Sequence, residues 1–465
     1  MNRKTSWRLG MAFPLVLACI GLTDCGGNAT TTVPPTAIAL LRYGGASGAP
    51  DATFGGGDGI VVTDFETTQN DYALAVALQP AALPADVKIV VVGSSFRTIA
   101  LNTVQGQIAV LRYAIDGTPD STFGTGGVVR TAVGTDSAEA VAVAVQPDGK
   151  IVVAGTILAA NFSGKGIVLL RYMPDGTLDT TFGASGTTPG IVIKTIGTGA
   201  DTAAAALALQ PAALLADVKI IVAGHALTSA KTDIVLLRYN LDGTPDSGFG
   251  SSGIVTTPLV SDAAALAIQL QPADNKIVAA GSVGNFSNSS MDSVLLRYNT
   301  DGTLDTTTFG VNGIVITDIG GGNDFANALV LQPDRKIVVA GHANVNFSAD
   351  TSDIALLRYD EFGALETTFG LPAQAGKVVT TLGGFDNAFS VALQSDLKIV
   401  VSGNTGSAGS AVRVAVLRFD ASGVLDPTFG TGGLVTTQAT GPSTVASGNA
   451  VLVQPDGSIV VAGYD

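Results

Sequence analysis

Leu170-Arg171-Tyr172-Met173-Pro174-Asp175-Gly176-Thr177-Leu178-Asp179-Thr180-Thr181-Phe182-Gly183 is one of seven versions of the same phrase. The Arg of a Leu-Arg-Tyr or Leu-Arg-Phe triplet recurs at Arg42, Arg112, Arg171, Arg238, Arg297, Arg358 and Arg418. A Phe-Gly pair follows each, at Phe54, Phe123, Phe182, Phe249, Phe309, Phe369 and Phe429. Successive arginines lie 70, 59, 67, 59, 61 and 60 residues apart, a period that gives each copy one supersecondary unit.

Outward from the phrase, four apolar runs recur in each copy. In the second copy they are Gly127-Val128-Val129, then 140–146, 150–155 and 167–172. Each has the length and the Val, Ile and Ala content of a strand. The runs are nearly continuous in hydrophobicity rather than alternating, so both sheet faces are buried and sheets must stack on one another. Gln146-Pro147-Asp148-Gly149-Lys150 joins the second run to the third as a compact hairpin, Pro presetting one dihedral and Gly supplying a positive one. Four antiparallel strands buried on both faces describe a propeller blade. The expected fold is all-β, a seven-bladed β-propeller over 37–465.

The body opens on Ile38-Ala39-Leu40-Leu41-Arg42-Tyr43, a fourth run, and stops at Ser458-Ile459-Val460-Val461-Ala462-Gly463, a third. The N-terminal strand is therefore expected to complete a three-strand C-terminal blade and close the ring, which removes the open edges of a linear stack. A near-copy of the stretch 79–88 at 210–219, with the alternating spacings, points to duplication of a two-blade unit.

Composition agrees. Only 13% of residues are charged while 58 are Gly, which suits short strands joined by turns. The net charge is −14, and an acidic chain excludes nucleic acid as the expected partner. Cys19 and Cys25 both precede the repeats, so the body holds no disulfide and no cysteine-ligated metal. The body is expected to be monomeric.

Arg3, Lys4 and Arg8 stand before an apolar run at 9–22, the order of a bacterial export signal, which is assigned to 1–24. Leu22-Thr23-Asp24-Cys25-Gly26-Gly27 resembles a lipoprotein cleavage box with Cys25 as the lipidated residue, although Asp24 stands where a small residue is usual. Cys19, after Val16-Leu17-Ala18, is the rival, and plain secretion the third reading. The segment 25–36, rich in Thr, Pro and Gly, reads as a flexible tether. The expected location is outside the cytoplasm, lipid-anchored in the cell envelope or secreted.

Taken together, Leu170-Arg171-Tyr172, Asp175-Gly176-Thr177-Leu178-Asp179, Phe182-Gly183, the Gln146 to Lys150 turn and Val152-Val153-Ala154-Gly155 resemble the bacterial delta-60 repeat family, over 38–463. The resemblance implies an exported or surface-associated repeat protein with a propeller-like fold and no settled activity. Three departures from the pattern are local: Glu366 stands at the second Asp, Phe419 replaces Tyr, and Ser395-Asp396-Leu397-Lys398 replaces the Pro-Asp-Gly turn, which weakens copy six as a functional unit and not the fold.

Few residues offer chemistry. An Arg in an otherwise apolar strand needs a carboxylate beside it, and the second Asp of each loop is the expected partner: Arg112 with Asp120, Arg171 with Asp179, Arg238 with Asp246, Arg297 with Asp305. The first Asp, as at Asp116, Asp175, Asp242 and Asp301, is expected to close the turn on its own backbone. Such carboxylate pairs could also begin a calcium cage, but no complete calcium loop is present, and no metal or other cofactor is assigned. Further acids precede the second run (Asp71, Asp136, Asp201, Asp262, Asp324, Asp386) and the fourth (Asp233, Asp292, Asp353), two loop types that share a rim. His225 and His342 follow equivalent Ala-Gly pairs in non-adjacent copies, which argues against a shared metal.

Arg130, Lys194 and Lys377 break the Thr pattern of the first run. With that run placed on the central channel they would form a cationic funnel, or else a solvated face. No Ser-His-Asp order, zinc helix or phosphate loop is found. The sequence therefore favours a non-catalytic binding scaffold for a protein or glycan at the cell surface, with a hydrolase or lyase acting on an extracellular sugar or lactone as the alternative.

Overall fold

The computed structural model describes residues 36–465, apart from 66–68, 101–102, 159–163, 185, 187, 198–200, 229, 286–289, 345–350, 408–409 and 439–444. The segment 1–35, to which an export signal and most of a tether are assigned and which holds Cys19 and Cys25, lies outside the described residues. Within them, twenty-eight strands form seven four-stranded antiparallel blades. The first complete blade is Asp71–Gln79, Lys88–Ala100, Thr103–Ala114 and Val128–Thr131, adjacent in that order from the axis outwards. The second is Ser137–Val145, Ile151–Leu158, Gly164–Tyr172 and Ile191–Lys194. A single parallel bridge, Thr202 to Lys165, links the second blade to the third. Each inner strand touches the inner strand of the next blade, all the way round.

Two details differ from the sequence reading. The short run after each Phe-Gly is the outermost strand of its own blade and not the first strand of the next, because the loop folds back and pairs it with the Leu-Arg-Tyr strand: Val128 faces Leu111 and Thr131 faces Ile108. The closing blade is consequently shared two and two. Ser447–Val453 and Ile459–Tyr464 come from the C-terminal end, while Ile38–Tyr43 and Ile60–Thr63 come from the N-terminal end. Ile38–Tyr43 still closes the ring as expected, pairing with the whole of Ile459–Tyr464. Thr36 and Ala37 are already bonded to the body, through Asp71 N to Thr36 O and Ala37 N to Asp465 O, both 2.9 Å.

The core is a series of wedges between blades. Val92 and Ile108 of the first blade pack with Val153 and Val168 of the second, and the pattern repeats around the ring. This is why the second and third strands are buried at nearly every position and mostly apolar: one face packs forward and the other back. No helix among the described residues is long and apolar enough to cross a membrane.

Candidate functional site

The repeated charges are consumed at one end of the ring. Arg112 Nε lies 2.8 Å from Asp120 Oδ2, Arg171 Nε 2.8 Å from Asp179 Oδ2, Arg238 Nε 2.8 Å from Asp246 Oδ2, and Arg297 Nη2 2.9 Å from Asp305 Oδ2. Arg42 and Arg418 pair likewise with Asp51 and Asp426, and Arg358 with Glu366. Each guanidinium also lies over the Phe of its own Phe-Gly pair, Arg112 at 4.7 Å from the Phe123 centroid and Arg171 at 4.8 Å from Phe182. Burial pushes the Asp179 carboxyl up, but hydrogen bonds from Lys150 and Thr181 and the charge of Arg171 outweigh it and hold it well below the usual range.

These struts also join the blades. Nη1 of every repeated Arg donates to a carbonyl of the following blade, for example Arg42 to Ile115 O at 2.7 Å, Arg112 to Pro174 O, and Arg418 to Gly45 O across the closure. A parallel circuit of backbone bonds runs beside them, with Gly124 N donating to Asp175 O at 2.8 Å and Gly430 N to Ser47 O at 2.8 Å. The first Asp of each loop caps its turn: Asp175 Oδ1 accepts from Thr177 N at 2.9 Å and from Thr177 Oγ1 at 2.7 Å. The repeated phrase is thus a joint, half of it in one blade and half in the next.

The three deviant cations stand elsewhere than expected. Arg130, Lys194 and Lys377 lie on outermost strands, three strands away from the channel. They are not equivalent to one another either. Lys194 faces Ile167 as Thr131 faces Ile108, whereas Lys377 opens its strand. Arg130 lies 5.4 Å from the Phe65 ring centroid, and Lys377 Nζ donates to Asp318 O at 2.6 Å. The cationic funnel is replaced by an outer edge, because the strand that carries these residues belongs to the blade before it.

The channel is built by the Ala-rich strands instead. In every inner strand the register against the second strand slips by one residue, at Leu74, Val141, Ala205, Leu266, Asn327, Phe389 and Asn449. This is a β-bulge repeated once per blade. It presses an inner-strand carbonyl onto the second strand, where a β-carbon on Gly155 would collide with Glu139 O and one on Gly341 with Phe325 O. The Gly of each Val-Ala-Gly run is the trace of that bulge, a signal present in the sequence but read there as a strand end. The bulged residues border a central cavity of about 390 Å³.

One level nearer the rim, the residue after each of these glycines faces an inner-strand partner. The pairs are Tyr72 with Ser94, Glu139 with Thr156, Ala203 with His225, Ala264 with Ser282, Phe325 with His342, Asn387 with Asn404, and Ser447 with Tyr464. No two blades carry the same pair, and every second-strand member is buried and bears a polar atom. Thr156 Oγ1 accepts from Ala204 N of the next blade at 3.1 Å, Asn387 Nδ2 donates to Asn404 Oδ1 at 3.1 Å, and Tyr72 meets Tyr464 edge to face at 5.1 Å. Burial raises Glu139 to about 7 and lowers His342 to about 4. His225 and His342 hold equivalent positions in the third and fifth blades, and Asp201 Oδ1 lies 3.5 Å from His225 Nε2.

The acidic rim gathers at one place. Carboxylate oxygens of Asp292, Asp318 and Asp324 lie within 4.8 Å of one another, contributed by the fourth and fifth blades and the loop between them. Three such oxygens are ligands of the kind a hard divalent cation takes. Burial first, then the charges of Asp318 and Asp292, raise Asp324 to about 6 against hydrogen bonds from Ile319 and Gly320. Asp71 and Asp386 occupy the same strand-start position and likewise accept from the preceding loop, from Phe65 N at 3.0 Å and Leu382 N at 2.6 Å.

Five segments of the chain match a family described as "Domain of unknown function (DUF5122) beta-propeller": 146–182, 215–249, 273–307, 332–369 and 394–429. All five end on the Phe beneath a strut arginine or just before it. No curated protein matches the chain in sequence. Among solved structures, a PL25 ulvan lyase of the polysaccharide lyases is 10% identical, with 82% of this chain and 81% of that one covered and a TM-score of 0.39. An exo-β-1,3-galactanase from Phanerochaete chrysosporium is 9% identical over 85% and 93% with a TM-score of 0.36. The extracellular domains 1–2 of Drosophila Semaphorin 1a are 12% identical over 80% and 85% with a TM-score of 0.38.

Proposed function

We propose that this β-propeller, made of repeats of a propeller family of unknown function, is an exported binding scaffold of the delta-60 repeat type. In this reading a lipid on Cys25 and the following tether hold the body at the cell envelope, where it binds a protein or glycan without catalysing a reaction. One observation carries the binding role. The seven copies serve as their own alignment: residues at the strut end are repeated because they pack, while the opposed pairs at the other end differ in every blade. Recognition belongs where the repeat rule is relaxed.

The test uses labelled body 37–465 added to isolated bacterial envelopes, with folding of each variant followed by thermal melting. Saturable binding should be lost when Glu139→Gln and Asn404→Leu are combined at the mouth. It should survive Leu83→Ser with Leu214→Ser, which alter exposed leucines at the strut end. Binding that ignores the mouth changes, or that depends on the strut-end leucines, rejects the reading.

A hydrolase or lyase acting on an extracellular sugar or lactone is the second reading. Glu139 favours it, since a buried carboxyl titrating at about 7 has the pKa of a general acid or base. Turnover of such a substrate that disappears in Glu139→Gln would establish it.

A further inference from the structure

The central cavity lies one level below the mouth, and two of the opposed pairs, Phe325 with His342 and Ser447 with Tyr464, also border it. Its wall is aliphatic and aromatic over most of the circumference, with Leu74, Val141, Leu266 and Phe389 at bulge positions. No Asp, Glu, Lys or Arg borders it among the described residues, so a charged ligand would lose hydration and gain no counter-charge. At about 390 Å³ it falls at the small end of ligand sites, which run from about 300 to 1,000 Å³ and are lined mainly by apolar groups with a few placed polar ones.

Most polar atoms in the wall already serve the ring. Asn449 Nδ2 donates to Ala73 O at 2.8 Å, Ser390 Oγ accepts from Val451 N at 3.1 Å, and Gln269 Oε1 accepts from Leu331 N at 3.2 Å. His342 is different. It is 8% exposed, stacked on Phe325 with centroids 4.8 Å apart, and it borders the cavity. Asn327 Nδ2 donates to Ala388 O at 2.8 Å, which fixes the amide's orientation, and lies 3.1 Å from His342 Nδ1. An amide nitrogen can only donate, so Nδ1 is the acceptor and the ring proton sits on Nε2. Burial keeps the ring neutral, lowering its pKa to about 4. Nε2–H meets no protein acceptor among the described residues.

We infer that this cavity binds a neutral, mainly apolar molecule of one or two rings bearing a carbonyl oxygen, which accepts the Nε2 proton of His342. The apolar wall supplies affinity by area, and the single oriented donor sets which edge of the ligand faces the fifth blade.

The test uses two naphthalene dyes and the full chain. Prodan, which carries a propionyl carbonyl, should bind one per chain with blue-shifted emission. Ala205→Trp, which fills the cavity from a bulge position, should abolish binding; Leu266→Trp serves if that variant melts abnormally. His342→Phe keeps the stacked ring and removes the donor. It should weaken prodan about tenfold, the worth of one net hydrogen bond, and leave 2-(dimethylamino)naphthalene unchanged. Absence of saturable prodan binding, binding that survives both tryptophan variants, or equal effects of His342→Phe on the two dyes would overturn the inference. Envelope binding is scored separately on Ala205→Trp and Leu266→Trp, which leave the opposed pairs intact, so loss of one result leaves the other standing.

Discussion

Gly117 rests on the ring of Phe54 in the preceding blade, so close that a β-carbon on it would lie 2.8 Å from two ring carbons. Its φ of +88° is also in the left-handed region. Gly117→Ala should therefore destabilise the body by about 1–3 kcal/mol through strain and crowding together. Gly56 has a φ of +93° with open space around it, so Gly56→Ala isolates the backbone cost. Urea unfolding that ranks the two variants equally would show that the ring contact contributes nothing.

Asp179→Ala leaves Arg171 buried without its carboxylate and should cost about 3–5 kcal/mol. The loss should change little with salt, because the pair is shielded from solvent, Asp179 being 4% exposed. An unfolding midpoint equal to that of the parent would rule out the strut as a stabilising element.

Asp71 and Asp324 titrate at about 6 in the folded chain, above the value of about 3.9 for a free aspartate. Between those values the fold holds protons that the unfolded chain has released. Their contribution to stability is thus fully present below about pH 4 and is lost as the pH rises through about 6. Asp324→Asn should flatten the decline in urea midpoint between about pH 4.5 and 7.5. The strut carboxylates act oppositely, losing their contribution only at lower pH, where they protonate. A slope identical to the parent's would refute the assignment of Asp324.

Tyr hydroxyls tie neighbouring blades through outer-strand threonines, as in Tyr172 to Thr131 at 2.8 Å and Tyr359 to Thr317 at 2.7 Å. The register puts Lys194 at the position that would serve Tyr239. Lys194→Thr should raise stability by about 1 kcal/mol, read as an upward shift in melting temperature. No shift would mean that the tie has no net worth at this joint.

If Cys25 is the lipidated residue, a labelled fatty acid should enter the wild-type protein and be absent from Cys25→Ser while remaining in Cys19→Ser. Equal labelling of Cys25→Ser and the parent would reject the anchor.

The repeated Arg, Asp and Phe were legible in the sequence because a buried charge advertises its need for a partner, and seven copies remove the accident. Blade phase was not. A four-residue strand such as Val128–Thr131 lies between two loops, and its composition suits either neighbour. Only the hydrogen bonds to Thr103–Ala114 decide, and that error carried Arg130, Lys194 and Lys377 into a channel they do not reach. The bulges were hidden as well, since alanine-rich strands show no change of period when one residue slips. Their mark was the glycine on the partner strand. Apart from His225 and His342, the mouth residues were hidden because those such as Thr156 and Asn404 follow a Gly that reads as the end of its strand.

Each arginine that reaches into the following blade makes the joint a property of the repeat and not of any particular pair. A blade copied whole brings with it both the plug for one neighbour and the socket for the other, Arg171 reaching the Leu241 carbonyl on one side and the Pro174 carbonyl with Gly176 on the other. Such a ring can gain members by duplication without inventing a new seam, and what remains free to diverge is the layer at the end opposite the struts.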